Sequence, residues 1–219
     1  MTQIVGIIQV KGGVGRSTIA TNLAAIFSEK KATALIDCDL PQGTSASWYA
    51  VRKSEYPTQN LTLATVRDYR ELVIRAKELS QDHRYLIIDA PPRIAEMTRA
   101  IIVMSTLCLV PLGASAAEIW STADLLETID AARGYRADID VRIVWNRFRA
   151  QTREAHDLSE AARQELGLKE LNARLGYRVA YSEALARGLA VNEWLDNTAH
   201  GEIEALAAEV KGILKEVEK

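Results

Sequence analysis

Residues 10 to 18 of this sequence read Val-Lys-Gly-Gly-Val-Gly-Arg-Ser-Thr, a set whose types and spacing suit a polyphosphate. Gly12, Gly13 and Gly15 allow a tight turn and bring N–H groups against phosphate with no Cβ in the way. Ser17 stands where a hydroxyl would bind Mg²⁺, and Lys11 and Arg16 place two cations on one loop. Asp37, Asp39 and Asp89 follow two later apolar runs. An acid so placed can hold Mg²⁺ or its waters, and another can orient an attacking water. The chemistry open to this set is transfer of a phosphoryl group from a nucleotide to water. A single Asp after a strand is ordinarily a turn or cap residue. Three acids beside one glycine-rich loop turn the expectation toward a nucleotide site. The ordinary loop ends Gly-Lys-Ser/Thr; here it ends Gly15-Arg16-Ser17.

The chemistry needs these groups at the carboxyl ends of parallel strands, and the apolar patterning supplies them. Ile4–Val10 reads as a buried strand, and Ile19–Ser28 as a helix with Ile19, Leu23, Ile26 and Phe27 at helical spacing. The helix N-terminus behind the loop adds free N–H donors and partial positive charge. Thr33–Asp37, Leu61–Thr65, Tyr85–Asp89, Leu107–Pro111 and Val141–Trp145 read as further strands. Ser45–Lys53, Tyr69–Leu79, Ile94–Met104, Ala116–Arg133 and Thr152–Leu166 read as helices between or after them. This alternation predicts an α/β fold, a doubly wound and mostly parallel sheet. No repeat or linker divides residues 1–219, so one domain is expected. A last helix over Gly201–Lys219 carries Ile203, Leu206, Val210, Ile213, Leu214 and Val217 on one stripe.

Composition narrows the partners. The chain has 219 residues, of which 48% are apolar, enough for a well-buried domain, and a net charge of −2. No global basic field advertises nucleic acid, so DNA binding would need a local patch. Cys38 and Cys108 lie in apolar runs and read as buried thiols, consistent with a cytoplasmic setting. No signal segment or membrane-spanning run is evident.

With these residues in hand the chain resembles the ParA/MinD group of deviant phosphate-loop ATPases. Lys11 to Thr18 is similar to the group's Lys-Gly-Gly-x-Gly-Lys-Thr/Ser-Thr loop except at Arg16. Asp37-Cys38-Asp39-Leu40-Pro41-Gln42-Gly43 resembles its Asp-x-Asp-Pro-Gln-Gly motif with Leu40 inserted. Leu86 to Pro92 resembles its second acidic strand and Asp-x-Pro-Pro. Arg178 to Ala184, with Gly188, resembles its C-terminal Arg-Val-Ala-x-x-Glu-Ala segment. The resemblance implies a nucleotide-sandwich homodimer that hydrolyses ATP with Mg²⁺. Lys11 would reach the partner subunit's phosphates, a cation supplied in trans as an arginine finger is. Asp39 would help activate water. Ser17 would ligate Mg²⁺, with Asp37 and Asp89 in its shell. Gly12 to Thr18, Val14 and Arg16 included, would cradle the phosphates, and Asn146, expected just after a strand, would lie near adenine.

The loop begins so early that no N-terminal helix-turn-helix is expected, which points to the small plasmid-partition type. That type would bind DNA non-specifically, associate with the nucleoid and act with a ParB-like adaptor. Arg147, Arg149, Arg153, Arg178 and Arg187 are the candidate DNA contacts. The alternative is a weakly hydrolysing, MinD-like switch that positions a protein or membrane-associated cargo. A membrane role is not expected, because the last helix is rich in Glu and should pack on the sheet instead. Arg is planar and forked where Lys is a point charge, so Arg16 is expected to slow hydrolysis.

Overall fold

The computed structural model describes residues 1–219 other than 114, 150, 151 and 219, and the side chains of these residues except 154 and 155. Seven strands form one sheet: β1 (Gln3–Ile7), β2 (Thr33–Asp37), β3 (Leu61–Thr65), β4 (Tyr85–Asp89), β5 (Leu107–Leu112), β6 (Val141–Phe148) and β7 (Lys169–Gly176). Their order is β3-β2-β4-β1-β5-β6-β7. Every neighbouring pair is parallel. The helices are α1 (Arg16–Ser28), α2 (Thr44–Glu55), α3 (Tyr69–Leu79), α4 (Ala95–Met104), α5 (Ala116–Arg133), α6 (Arg153–Leu166), α7 (Ala180–Ala186) and α8 (Asn197–Glu216), with a 3-10 turn at Val191–Glu193.

The handedness of the crossovers decides which face each helix covers. From β1 to β2 to β3 the chain moves one way across the sheet, and from β3 onward to β7 it moves the other way. Right-handed connections then put α1 and α2 on one face and α3 to α6 on the other. The core follows this division. Val5, Ile7, Leu35 and Ile87 pack with α1, Trp48 of α2, α7 and α8. Ile8, Ile36, Leu86 and Ile88 pack with α3 to α6. Successive strand side chains point to opposite faces, so a sheet covered on both sides must be apolar at nearly every position. The crossovers that leave the neighbouring strands β1 and β4 run in opposite directions across the sheet, which opens a crevice at their carboxyl ends.

Gly6 shows how closely the layers meet. A Cβ there would lie 2.6 Å from Cγ2 of Ile101 and 2.8 Å from Oγ of Ser105, so glycine sets the spacing of α4 on β1.

Several boundaries differ from expectation. β1 stops at Ile7, because Gln9 and Val10 already belong to the loop. β7 is not among the strands expected from sequence, although the alternation of Leu171, Ala173 and Leu175 is its signal. α8 begins four residues early, at Asn197, where the Asp196 carboxylate accepts from the N–H groups of Thr198 and Ala199. It ends at Glu216, and the expected terminus at Lys219 lies outside the described residues. As expected, Ile203, Leu206, Val210, Ile213 and Leu214 of α8 pack into the core, whereas Val217, expected on the same stripe, follows the helix and is exposed. The acids of α8 also serve the sheet: Glu209 accepts from the N–H groups of Asn172 and Ala173, covering the open edge of β7. Among the described residues, no helix is long and apolar enough to cross a membrane. Cys38 and Cys108 are buried free thiols, and burial pushes Cys108 up to about 12.

Candidate active site

The glycine-rich loop leaves β1 and enters α1 at the crevice. Gly13 (φ 75°) and Gly15 (φ 96°) adopt left-handed backbone that favours glycine. A Cβ on Gly12 or Gly13 would meet nothing within 4 Å, so the loop forms an open cradle. Gly15 is required for a second reason. A Cβ there would lie 2.1 Å from Nδ2 of Asn146, which donates to the Val14 carbonyl at 2.7 Å. α1 starts with no side-chain cap and no acid in its first turn, which leaves its N–H dipoles to an anion.

Over this loop lies a cavity of about 430 Å³, bordered by Gly12, Gly13, Ser17, Asp39, Pro92 and Arg147. Gln42 and Thr44, not singled out from sequence, also border it. They are carried there by the turn that Gly43 N–H closes onto the Asp39 carbonyl at 2.8 Å. The inserted Leu40 therefore does not carry Asp39 away from the phosphate loop. Lys11 is half-buried and is not among the residues bordering the cavity.

Arg16 is the main departure from what residue type alone suggests. Its guanidinium is buried and donates to three main-chain carbonyls, from Nε to Ala90 at 2.8 Å and from Nη1 to Gln9 at 2.8 Å and Lys11 at 2.5 Å. Nη2 also lies 3.6 Å from the Asp39 carboxylate. The planar fork thus ties the ends of β1 and β4 to the loop and holds Asp39 beside it. Burial lowers the Arg16 pKa, and Asp89 and Asp39 act against that shift.

The acids divide by what they touch. Asp37 accepts from Asp39 N–H at 2.9 Å and from Ala46 N–H at 2.8 Å. Both of its oxygens thereby fix the loop and cap the first turn of α2, the ordinary use of such an Asp, and each keeps a lone pair for the Mg²⁺ shell in which Asp37 is expected. Asp89 differs. Its Oδ2 accepts from the Ser45 hydroxyl at 2.7 Å, while its buried Oδ1 has no hydrogen-bond partner among the described residues. Burial pushes its pKa up to about 7, against the hydroxyls of Ser17 and Ser45, which favour the charged form. A buried carboxylate oxygen without a partner, a serine hydroxyl close by and an open glycine cradle fit a Mg²⁺–polyphosphate group.

Asn146 and Arg147 lie inside β6 rather than after it. Asn146 supports the loop from below, as described, and also borders a second cavity of about 430 Å³ with Tyr177, Tyr181 and Arg147. Arg147 borders both cavities. It thereby stands beside the phosphate loop as well as beside Tyr177 and Arg178.

The other candidate arginines have partners of their own, and Arg149 and Arg178 border one groove. Arg178 is held by two bonds to Oε1 of Glu202, at 3.0 and 2.9 Å, and Glu202 also accepts from Gly176 N–H and the Tyr181 hydroxyl. That cluster pins the β7–α7 connection to α8. Arg187 lies over the Trp194 ring, and Arg153 lies 4.0 Å from Asp157. Arg149 lies over Tyr177 and shares a groove of about 350 Å³ with Arg174, which sequence reasoning missed.

The chain matches the profile of the CobQ/CobB/MinD/ParA nucleotide binding domain over residues 5–191. It is 25% identical over 209 residues to "Maintenance of carboxysome distribution protein A" of Halothiobacillus neapolitanus, covering 95% of this chain and 93% of that protein. A substituted McdA of Cyanothece in complex with ATP shares the fold, with TM-score 0.80 at 18% identity over 96% of each chain. So does MinD of Pyrococcus horikoshii with Mg-ADP, with TM-score 0.74 at 16% identity over 96% of each chain.

Proposed function

The chain belongs to the CobQ/CobB/MinD/ParA nucleotide-binding family, and from that premise we propose an ATP-dependent switch that positions a protein cargo. The observation that carries the nucleotide part is the glycine cradle that shares its cavity with Ser17, together with Asp89, whose buried Oδ1 has no hydrogen-bond partner among the described residues. Gly12 to Ser17 and the first turn of α1 bind the phosphates of ATP. Ser17 and Asp89 hold Mg²⁺, which when bound neutralises developing charge on the phosphates. Asp39, at the cavity wall, orients the attacking water. Arg16 holds Asp39 and the loop carbonyls in place, so turnover is slow. Lys11, which does not border its own cavity, serves the phosphates of a second copy, which makes hydrolysis depend on dimerisation. Asn146 and the cavity beside Tyr177 and Tyr181 receive the base.

On cargo, expectation from sequence put plasmid partition first. Likeness along nearly the whole chain to a protein named for carboxysome distribution supports a protein body instead. Non-specific DNA remains the proposed track, with Arg149 and Arg174 beside Tyr177 as its phosphate contacts. The cognate adaptor would bridge the ATP dimer to the cargo in the way a ParB-like partner bridges to DNA.

Deletion of the gene in its native cell tests the cargo. Collapse of a protein body into one focus, with plasmids inherited at the parental frequency, is expected. Plasmid loss with normally spaced bodies would return the reading to partition.

A further inference from the structure

We propose that Arg147 is a nucleotide-binding residue, contacting the phosphates nearest the ribose in cis. The inference rests on the ATP-binding reading above and adds a residue to that site.

Three cations surround the loop, and the structure gives them different work. Arg16 is buried and committed to three carbonyls and Asp39. Lys11 does not border the phosphate cavity. Arg147 does, and its guanidinium has no ion pair or hydrogen bond among the described residues. Its position is specific. The cavity over Gly12, Gly13 and Ser17 and the one beside Asn146 and Tyr181 are both bordered by Arg147, so it stands at their junction. A nucleotide with its phosphates in the first and its base in the second passes Arg147 at the inner phosphates.

The backbone holds it there. Arg147 has φ 54° within β6, a left-handed conformation that non-glycine residues seldom adopt in a strand. Its N–H donates to Oδ1 of Asn146 at 3.0 Å, and Asn146 Nδ2 donates to Val14 of the loop. One Asn side chain therefore locks the phosphate loop and the Arg147 backbone to each other. Strain retained at such a place fits a side chain aimed by its surroundings. A free guanidinium fork at a phosphate chain makes charge-assisted bonds that a neutral side chain cannot.

The test is calorimetric titration of the full chain with ATP and with ADP in Mg²⁺, and with adenosine by competition. The variants are Arg147→Gln, Arg147→Lys and Arg147→Gly. Arg147→Gly accepts φ 54° without strain and should melt no lower than the parent, which separates folding from binding. Arg147→Gln and Arg147→Gly should both weaken ATP and ADP by the same factor, about tenfold or more. Adenosine should be unaffected, and Arg147→Lys should recover part of the loss. Unchanged ATP and ADP affinity overturns the proposal, and so does an equal loss for adenosine. Loss for ATP alone would overturn the placement at the inner phosphates. Lost DNA binding with intact ATP affinity would return Arg147 to the DNA patch. Failure of the parent itself to bind ATP would instead remove the nucleotide reading.

Discussion

Replacing Arg16 with Lys restores the loop residue usual in the family, and the structure nonetheless makes it a destabilising change. Arg16 donates to three carbonyls, at Gln9, Lys11 and Ala90, from two nitrogens of a rigid fork. An ammonium on a straight stem cannot reach all three, because Ala90 is approached from Nε and the others from Nη1. One or two buried carbonyls would lose their partner, at about 1–3 kcal/mol each. The net loss should be roughly 2–4 kcal/mol, since the smaller ion also leaves room for water. For a chain of this length, 1 kcal/mol corresponds to about 2–4 °C, so the nucleotide-free variant should melt roughly 5–15 °C lower. Urea unfolding without nucleotide measures this as a lower midpoint at unchanged slope. The same substitution releases Asp39, whose carboxylate lies 3.6 Å from Nη2, and should raise ATP turnover. A midpoint equal to the parent's would refute the clamp, and a fall in turnover in a folded variant would refute Arg16 as the brake.

Two further outcomes follow from the same geometry. Gly15→Ala places a Cβ 2.1 Å from Nδ2 of Asn146 on a backbone at φ 96°; left-handed strain and the broken bond to Val14 should together cost about 2–5 kcal/mol by chemical denaturation and abolish ATP binding. Asp89 has its pKa raised from 3.8 to about 7 by burial. The folded state therefore holds a proton that the unfolded state has lost, and its contribution to stability is present below about pH 4 and lost as pH rises toward 7. Relative to Asp89→Asn, the parent without metal should lose up to roughly 4 kcal/mol across that window, and Mg²⁺ with ATP should stabilise the parent but not the variant. Parallel stability–pH curves for the two proteins would contradict the burial argument.

Much of this site is legible in the sequence, and what is not has physical reasons. The loop glycines, Ser17 and the acids announce themselves because local backbone geometry and strand ends constrain residue type. What an acid does with its oxygens is set by groups distant in sequence. Asp37 accepts from the amide of Ala46 and Asp89 does not, and both follow similar apolar runs. Arg16 reads as a phosphate cation until Ala90, 74 residues away, is seen to accept from it. Arg178 and Arg187 read as a basic face, yet Glu202 and Trp194 occupy them from α8 and the segment before it. β7 spans eight residues, but it carries only three alternating apolar positions, with Glu170, Asn172 and Arg174 on its other face, so periodicity marks it weakly. The sheet order and the helices' faces follow from crossover handedness once the strands are known.

The central claim is a nucleotide-gated dimer in which each copy completes the other's site. Sedimentation velocity of the purified chain with Mg²⁺ and ATP, with ADP, and without nucleotide measures it most directly, beside Lys11→Ala under the same conditions. A dimer with ATP only, lost in Lys11→Ala while that variant still binds ATP in calorimetry, is the result this mechanism requires. A chain that stays monomeric with ATP bound, or a Lys11→Ala variant that dimerises and turns over as the parent does, would contradict it.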